Sequence, residues 1–421
     1  MMKPILRLVA ILLLFLSFSL TAQPLQEIAP PYNIKTVSFI QNAENLYPYF
    51  RLGETFTLQF DDLFGNEANY YYTLQHCNYD WTPSSQLSQN DYLDGFDNQR
   101  IQTYNNSFNT LQIFSHYLLT FPNKFTSIRL SGNYMVNILN EDREVVFSRR
   151  FIIYEDRVSV PVQVKRSRDM ETIQQKHNLD FAIKSESILF QSPLANVKVA
   201  LFQNGRFDNA IYNVKPQYTI ANDLIYKYNK ETQFWAGNEY LYYENKLIRN
   251  AVANVLSVTA GEIYNTVLYT NEARGNKPYT NWPDVNGNFV IKNASPAVEN
   301  VAVESDYSWI FFKLSAPAFF DKKSIYVGGM FNNYAKTDEY KLEYNEKLNT
   351  YEKAVMIKQG FTNYMYIVTN KDGSVDGEDA PDGNFYQTEN QYDILVYYRM
   401  NNERYDRVIG RGTASSLNII N

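Results

Sequence analysis

The chain has 421 residues, of which 45% are hydrophobic and 16% aromatic, and its formal net charge is −6. A mildly acidic chain without a basic cluster is a poor binder of nucleic acid. Its one cysteine, Cys77, excludes an intramolecular disulfide, so stability must come from apolar cores, and the length allows roughly two to four domains.

The N-terminus predicts a signal peptide over residues 1–22. Lys3 and Arg7 precede an apolar run from Val9 to Leu20, and the small residue Ala22 offers a cleavage position. The apolar run is shorter than the roughly 20 residues that cross a membrane. We therefore expect export, with a mature chain that resides in the periplasm.

A first β-domain is expected over residues 30–156. The stretch Tyr70–Cys77 alternates with a period of two and is rich in aromatics, as a half-buried strand requires. Gly132-Asn133-Tyr134 is similar to the tyrosine corner of immunoglobulin-like sandwiches, and Trp81 is interpreted as a core residue. The other predicted strands are Ile34–Phe39, Thr55–Phe60, Phe125–Leu130, Tyr134–Leu139 and Val145–Tyr154.

A middle β-domain is expected over residues 157–303. Val158 to Val164 alternate as one strand, and Pro161 within it favours a sheet edge. Asn204-Gly205 predicts a tight turn. The Asx-rich segment Asp284–Asn288 could offer oxygens to calcium, but a turn is favoured. The other predicted strands are Leu179–Ile183, Val197–Phe202, Val255–Val258 and Phe289–Ile291.

A third β-domain is expected over residues 304–421, with strands at Asp306–Leu314 and Ser324–Val327. Asp372–Asp379 is similar to the opening of a calcium loop. Gly383 stands where the twelfth ligand, a bidentate carboxylate, would be needed, so an acidic hairpin loop is favoured. The residues after Val408 are interpreted as a tail that is either disordered or reaches a partner.

No motif for catalysis or metal binding is found. The three histidines, His76, His116 and His177, stand in separate segments, and no HExxH, CxxC, G-x-S-x-G or phosphate-loop pattern occurs. We therefore assign no catalytic, cofactor-binding or metal residues and expect no cofactor. Acidic residues are plentiful enough that a carboxylate pair for hydrolysis stays open as an alternative.

Eight segments, which follow one another along the chain, together resemble the type IX secretion system plug protein family. The resemblance rests on His76–Trp81 (HCNYDW), Asp91–Phe96 (DYLDGF), Ser131–Ile138 (SGNYMVNI), Phe234–Asn245 (FWAGNEYLYYEN), Asp284–Ile291 (DVNGNFVI), Asp306–Leu314 (DYSWIFFKL), Val327–Tyr334 (VGGMFNNY) and Lys358–Val368 (KQGFTNYMYIV). The fold expected for the chain is all-β, with three tandem immunoglobulin-like β-sandwich domains.

The resemblance implies a non-enzymatic periplasmic subunit that occludes the periplasmic mouth of the outer-membrane translocon β-barrel. It implies residence at the inner face of the outer membrane through that barrel, without membrane insertion, nucleic acid or a small-molecule substrate. Partner-binding residues are unknown at this point. The alternative is a periplasmic carbohydrate-binding protein, because VGGMFNNY is similar to glycogen-binding modules. In those modules a Trp is usual where Tyr334 stands.

Overall fold

The structure, a computed structural model, describes residues 23–42, 44–316 and 323–419. The predicted signal peptide, residues 1–22, lies outside the described residues. The prediction of an all-β chain is confirmed, because strands form three pairs of packed sheets. The helices of the described part are single turns: α1 (Gln89–Tyr92), α2 (Pro193–Asn196), α3 (Val301–Glu304) and the 3₁₀ turns Met330–Asn332 and Ser416–Asn418.

The first sandwich consists of the strands between residues 34 and 154. One sheet has the order β2-β1-β4-β9-β8, the other has the order β3-β12-β11-β5-β7, and β6 pairs with β10 beside them. The strands are β1 (Ile34–Gln41), β2 (Glu44–Asn45), β3 (Tyr49–Arg51), β4 (Phe56–Asp62), β5 (Tyr71–Cys77), β6 (Leu93–Gly95), β7 (Gln99–Arg100), β8 (Thr103–Asn106), β9 (Ser115–Phe121), β10 (Thr126–Ile128), β11 (Gly132–Leu139) and β12 (Val145–Tyr154).

The core of the first sandwich is largely aromatic. The rings of Phe50 and Phe56 stack with centroids 4.0 Å apart, and Phe60 stacks on Tyr117 at 5.0 Å. The Tyr134 hydroxyl donates to the carbonyl oxygen of Leu130 at 2.8 Å, as the sequence pattern predicts for a tyrosine corner. The strand β9, absent from the predictions, lies inside its sheet, between β4 and the edge strand β8.

The chain then enters the middle sandwich. Its first sheet has the order β13-β14-β18-β17, with β19 also paired to β14, and its second sheet begins with β16 and β15. Pro161 immediately precedes the edge strand β13, so the expected strand from Val158 is shorter than predicted. The strands are β13 (Val162–Arg166), β14 (Lys176–Ile183), β15 (Val197–Gln203), β16 (Ile211–Tyr212), β17 (Tyr218–Ile220), β18 (Asp223–Tyr226) and β19 (Gln233–Trp235).

The third sandwich follows before the middle one is complete. One sheet has the order β20-β29-β24, with β26 also on β29, and the other has the order β21-β22-β25-β28-β27, with β23 also on β25. The strands are β20 (Leu241–Glu244), β21 (Val255–Ala260), β22 (Tyr264–Leu268), β23 (Asn271–Glu272), β24 (Phe289–Ile291), β25 (Tyr307–Ser315), β26 (Ser324–Gly328), β27 (Glu343–Asn345), β28 (Thr350–Lys358) and β29 (Gly360–Thr369).

The last two strands, β30 (Gln391–Tyr398) and β31 (Arg407–Ser415), return to the middle sandwich. β30 pairs antiparallel with β15 over seven residues, and β31 completes that sheet. The expected boundary between residues 303 and 304 therefore does not match the strand pairing. The middle sandwich is built from residues 162–235 and 391–415, and the third is inserted between them. About half of the third sandwich, residues 241–303 with the predicted strand Val255–Val258, falls within the expected middle domain.

The expectation of a C-terminal tail after Val408 is also wrong. Val408 and Ile409 are fully buried, because β31 lies beside β30 in the core of the middle sandwich. Gly410 and Gly412 permit this packing: an added Cβ would lie 2.4 Å from Val158 Cγ2 at the first position and 2.4 Å from the Val160 carbonyl oxygen at the second.

Candidate functional site: the contacts between the sandwiches

The first and middle sandwiches meet at the segment His76–Trp81. Tyr79 and Trp81 are 4% exposed and pack with Phe202, Leu395 and Tyr397 of the middle sandwich. The Tyr79 hydroxyl donates to the Val199 carbonyl oxygen at 2.7 Å, across the interface. Trp81 is therefore a core residue, as predicted, but the core it belongs to lies between two domains.

His76 and Cys77, just before this contact, are chemically inert. Nε2 of His76 donates to the Ser131 carbonyl oxygen at 3.2 Å, and Nδ1 lies 2.8 Å from Ser84 Oγ. Burial lowers the pKa of His76 to about 4, so the ring is neutral at pH 7. Burial raises the pKa of the Cys77 thiol to about 12, and a thiol without thiolate character is a poor nucleophile.

The first and third sandwiches meet through a buried ion pair, Asp61 with Lys358. Asp61 Oδ2 accepts hydrogen bonds from Lys358 Nζ and from the Tyr307 hydroxyl, both at 2.6 Å, and Oδ1 lies 2.6 Å from His116 Nδ1. The Asp61 and Lys358 side chains are 0% and 2% exposed. Thr36 Oγ1 lies 2.5 Å from the Tyr307 hydroxyl and extends the network into the first sandwich.

Burial alone would raise the pKa of Asp61. The Lys358 ammonium and His116 outweigh it, so the pKa of Asp61 is lowered and the carboxylate stays charged. Removing one partner of such a buried pair costs about 3–5 kcal/mol, because it leaves the other charge without compensation. The network is therefore a specific link between two domains.

The middle and third sandwiches meet around Arg206. Its guanidinium donates to both carboxylate oxygens of Asp208, at 3.0 and 2.9 Å, and Lys336 of the third sandwich lies 3.4 Å from Asp208 Oδ2. The guanidinium also lies over the ring of Tyr334, 4.6 Å from its centroid. Each sandwich thus contacts the other two, and the three contacts close a ring.

The two chain crossings between the middle and third sandwiches are bonded to each other. Asn390 Nδ2 donates to the Ala236 carbonyl oxygen at 2.8 Å, and Thr388 Oγ1 donates to that of Gly237 at 2.9 Å. The Glu389 amide donates to the carboxylate of Glu239 at 3.1 Å, which also accepts from Tyr279. Burial raises the pKa of Glu239 to about 7.

Comparisons with known proteins agree with this architecture. The family described as type 9 secretion system plug protein, first domain, matches residues 34–155, which contain the first sandwich. A crystal structure of a hypothetical protein from Parabacteroides merdae ATCC 43184, at 2.30 Å resolution, has a TM-score of 0.88 and 31% identity to the chain. The match covers 93% of this chain and 100% of the other. No curated protein matches the chain significantly.

Over residues 34–155 the chain belongs to the type IX secretion system plug protein family. The family is a structural component of that secretion system, in the cell envelope. Membership implies association with an outer-membrane component of the system. In the part of the chain that the structure describes, no helix has the length and apolar character needed to cross a membrane.

Among the residues that the structure describes, no His, Cys, Asp and Glu side chains form a group of three that could bind a metal ion. In the acidic loop, Asp376 and Asp379 are ion-paired to one lysine, with Lys323 Nζ 2.5 Å from Asp376 and 2.6 Å from Asp379. Asp284 closes its own turn by accepting from the Asn286 amide, and its other oxygen accepts from the distant Tyr240 amide. The structure therefore supports the turn interpretation at both acidic segments.

The carbohydrate alternative depended on an aromatic platform at Tyr334. That ring is 5% exposed, its hydroxyl lies 3.1 Å from the Tyr240 hydroxyl, and Arg206 covers one face. A buried ring cannot stack on a sugar. Tyr334 is thus a structural residue of the contact between the middle and third sandwiches.

The same contact borders an open cavity of about 410 Å³ beside Arg206 and Trp235. Its two carboxylates, Asp208 and Asp376, are ion-paired to Arg206 and Lys323. The Trp235 ring has Lys176 Nζ 3.9 Å from its centroid on one side. These pairings leave no free nucleophile or base among the cavity's charged groups.

The histidines do not come together: His76, His116 and His177 contribute to three different hydrogen-bond networks. His177 Nδ1 lies 2.7 Å from the Tyr392 hydroxyl in the middle sandwich. The residues that sequence reasoning missed are the charged ones between domains. The sequence did contain a signal for these residues. Asp61 and Lys358 stand near the ends of the largely apolar segments FTLQFDD and AVMIK, where burying an unpaired charge would be costly.

Proposed function

We propose that this protein is a non-enzymatic periplasmic plug that binds the translocon barrel of the type IX system and occludes its periplasmic mouth. Membership of the plug family and its implied outer-membrane association support the choice of partner. Closing a wide pore against leakage requires a body that keeps its shape.

The observation that carries the proposal is the closed ring of contacts between the three sandwiches. Two domains joined by a single linker move freely unless their interface is large and apolar. In this chain, each pair of sandwiches is also held by the contacts that both members make with the remaining sandwich. These contacts include the buried Asp61–Lys358 ion pair and the Tyr79 hydrogen bond. Bending at one contact would have to break another.

The second support is that the reactive side chains considered above are buried or ion-paired. Cys77 is buried, and the carboxylates at the cavity are ion-paired. A subunit that acts by shape needs no turnover, and reversible docking suits a partly polar interface of moderate size.

The test is an affinity pull-down with the mature chain from detergent-solubilised outer membranes of a type IX secreting bacterium. We expect the translocon barrel to be recovered in stoichiometric amount and to be absent from a control column with a protein of equal charge. Recovery of glycan, or of no outer-membrane protein, would contradict the proposal.

A further inference from the structure

One end of the first sandwich exposes a group of large apolar side chains, which we call the apolar end. Its members are Tyr32, Phe64, Phe108, Leu111 and Ile113, with exposures of 68%, 51%, 69%, 49% and 58%. The rings of Tyr32 and Phe64 touch edge to face, with centroids 5.8 Å apart. Ile113 lies against Gly65, the residue after Phe64. Contiguous apolar surface of this kind marks an interaction site.

The loops of the apolar end are fixed rather than free. The Asp306 carboxylate accepts from the amides of Leu111 and Gln112, at 2.7 and 3.1 Å. The Phe108 amide donates to the Val303 carbonyl oxygen at 3.0 Å. Gln112 Nε2 donates to the Leu63 carbonyl oxygen at 3.0 Å, which joins the two loops of the first sandwich. Side chains presented by fixed backbone lose little entropy on binding.

The apolar end continues an interface that exists within the molecule. Directly beneath it, Leu63 and Phe114 pack with Tyr307 of the third sandwich, next to the Asp61–Lys358 pair. Lys358 Nζ lies 4.0 Å from the centroid of the Phe114 ring. The surface is therefore assembled by two domains and exists only when both are in place.

A groove of about 490 Å³ adjoins the apolar end. Leu111 forms one wall, and the third sandwich supplies the other with Leu247, Val298 and Pro296. A groove of this volume takes a drug-sized ligand or a few side chains of a protein loop. A convex element of a partner fits such a surface better than a flat face does.

The charge distribution selects the class of occupant. Residues 105–113 (NNSFNTLQI) contain no charged residue, and the groove is lined by one basic residue, Arg249, and two acidic ones, Glu304 and Asp306. Binding to anionic lipid needs a cluster of basic residues beside the apolar ones, and the excess of acidic over basic residues in the groove opposes it. An aromatic and apolar patch beside a polar groove is instead the arrangement of a protein interface, which has an apolar centre and a polar rim.

We propose that the apolar end and its groove are the surface with which the protein docks onto the periplasmic rim of the translocon barrel, a short turn of the barrel entering the groove. This assignment rests on the proposed function. It places the first and third sandwiches against the barrel and the middle sandwich away from it.

The test compares Phe108→Ser with Phe96→Ser, using purified translocon barrel in detergent and the full mature chain. Phe96 is 71% exposed and adjoins β10. Phe96 lies at the end of the first sandwich where β9 finishes, at Phe121. Phe108 lies at the opposite end, where β9 begins, at Ser115. We expect binding to weaken about tenfold or more for Phe108→Ser, as for a central aromatic, and to be unchanged for Phe96→Ser. Leu111→Ser should act as Phe108→Ser does.

The outcomes separate two failures. If the wild-type chain does not bind the barrel, the proposed function fails. If the wild-type chain binds and Phe108→Ser and Leu111→Ser bind equally well with native circular dichroism, only the surface assignment fails. Binding to phosphatidylglycerol vesicles, or a dimer in sedimentation, that Phe108→Ser abolishes would also overturn it, since the occupant would then be lipid or a second copy.

Discussion

At the scale of single residues, local patterns were informative where the contact itself is local. The tyrosine corner is an example, because Tyr134 bonds to a carbonyl four residues earlier in the chain. The burial of Trp81 followed from its position after an aromatic strand. Its partner Phe202 could not be predicted, since the contact joins two domains and leaves no trace in spacing.

Gly132 is a residue whose identity the packing constrains directly. It has φ +153, and an added Cβ would lie 2.2 Å from His76 Nε2. We expect Gly132→Ala to lower the free energy of unfolding by about 3 kcal/mol through backbone strain and overpacking. Urea denaturation followed by tryptophan fluorescence measures the loss.

Gly53 is the matched control. It has φ +89, but no atom lies within 4 Å of an added Cβ, so only backbone strain remains. Gly53→Ala should cost about 1 kcal/mol. Equal losses for the two variants would show that the His76 contact is not what excludes a side chain.

At the scale of elements, 13 of the 31 strands that the structure describes were predicted, because alternation of apolar residues is a local property. β9 was missed, although it is paired on both sides, because Ser115–Phe121 (SHYLLTF) gives only a weak alternation after a long polar loop. The ion pair between β4 and β28 was missed for a different reason. Its two members are 297 residues apart in the chain.

The link between β4 and β28 should be sensitive to loss of one charge. We expect Lys358→Met to lower the free energy of unfolding by about 3 kcal/mol, because Asp61 is left buried without its cation. Hydrogen exchange should also rise in β25 and β28, which face the first sandwich. Both are measurable on the mature chain.

Lys277→Met is the control for loss of an exposed ion pair. Lys277 and its partner Glu272 are 51% and 67% exposed. Such a surface pair contributes less than about 1 kcal/mol. A Lys358→Met variant that is no less stable than Lys277→Met would contradict the role given to the buried pair.

The crossing between the middle and third sandwiches should respond to pH through Glu239. Its pKa is about 7 in the folded chain, against an ordinary value of 4.5. Between these values the folded state binds more protons than the unfolded state, so this group stabilises the fold at low pH and loses that effect as pH rises through 7. Glu239→Gln mimics the protonated form, so the variant should not lose this contribution to stability as pH rises.

We therefore expect the difference in unfolding free energy, Glu239→Gln minus wild type, to increase from pH 4.5 to pH 8. Using the difference cancels the opposite trend of His76 and His177, whose pKa values are lowered to about 4 by burial. A difference that stays flat or falls over this range would show that Glu239 is charged throughout.

At the scale of the whole molecule, the all-β class was predictable and the domain order was not. Composition and alternation were enough for the class. The insertion of the third sandwich follows from the pairing of β15 with β30, for example of Leu201 with Ile394. No local sequence pattern predicts a strand partner so far along the chain. The contacts that make the molecule rigid are all of this long-range kind.

The insertion has a mechanical consequence. Two chain crossings join the middle and third sandwiches, and the Asn390–Ala236 hydrogen bond holds the crossings together. Because the first sandwich contacts both, moving any one sandwich away would break its contacts with the other two. That property is what an occluding subunit needs.

Single-channel conductance of the purified translocon barrel in a planar bilayer tests this account most directly. Added to the periplasmic side, the wild-type protein should convert a large, steady conductance into a closed state, and washing it out should restore the current. An open-channel current that stays unchanged at saturating protein, with binding verified in the same preparation, would contradict occlusion by a rigid body.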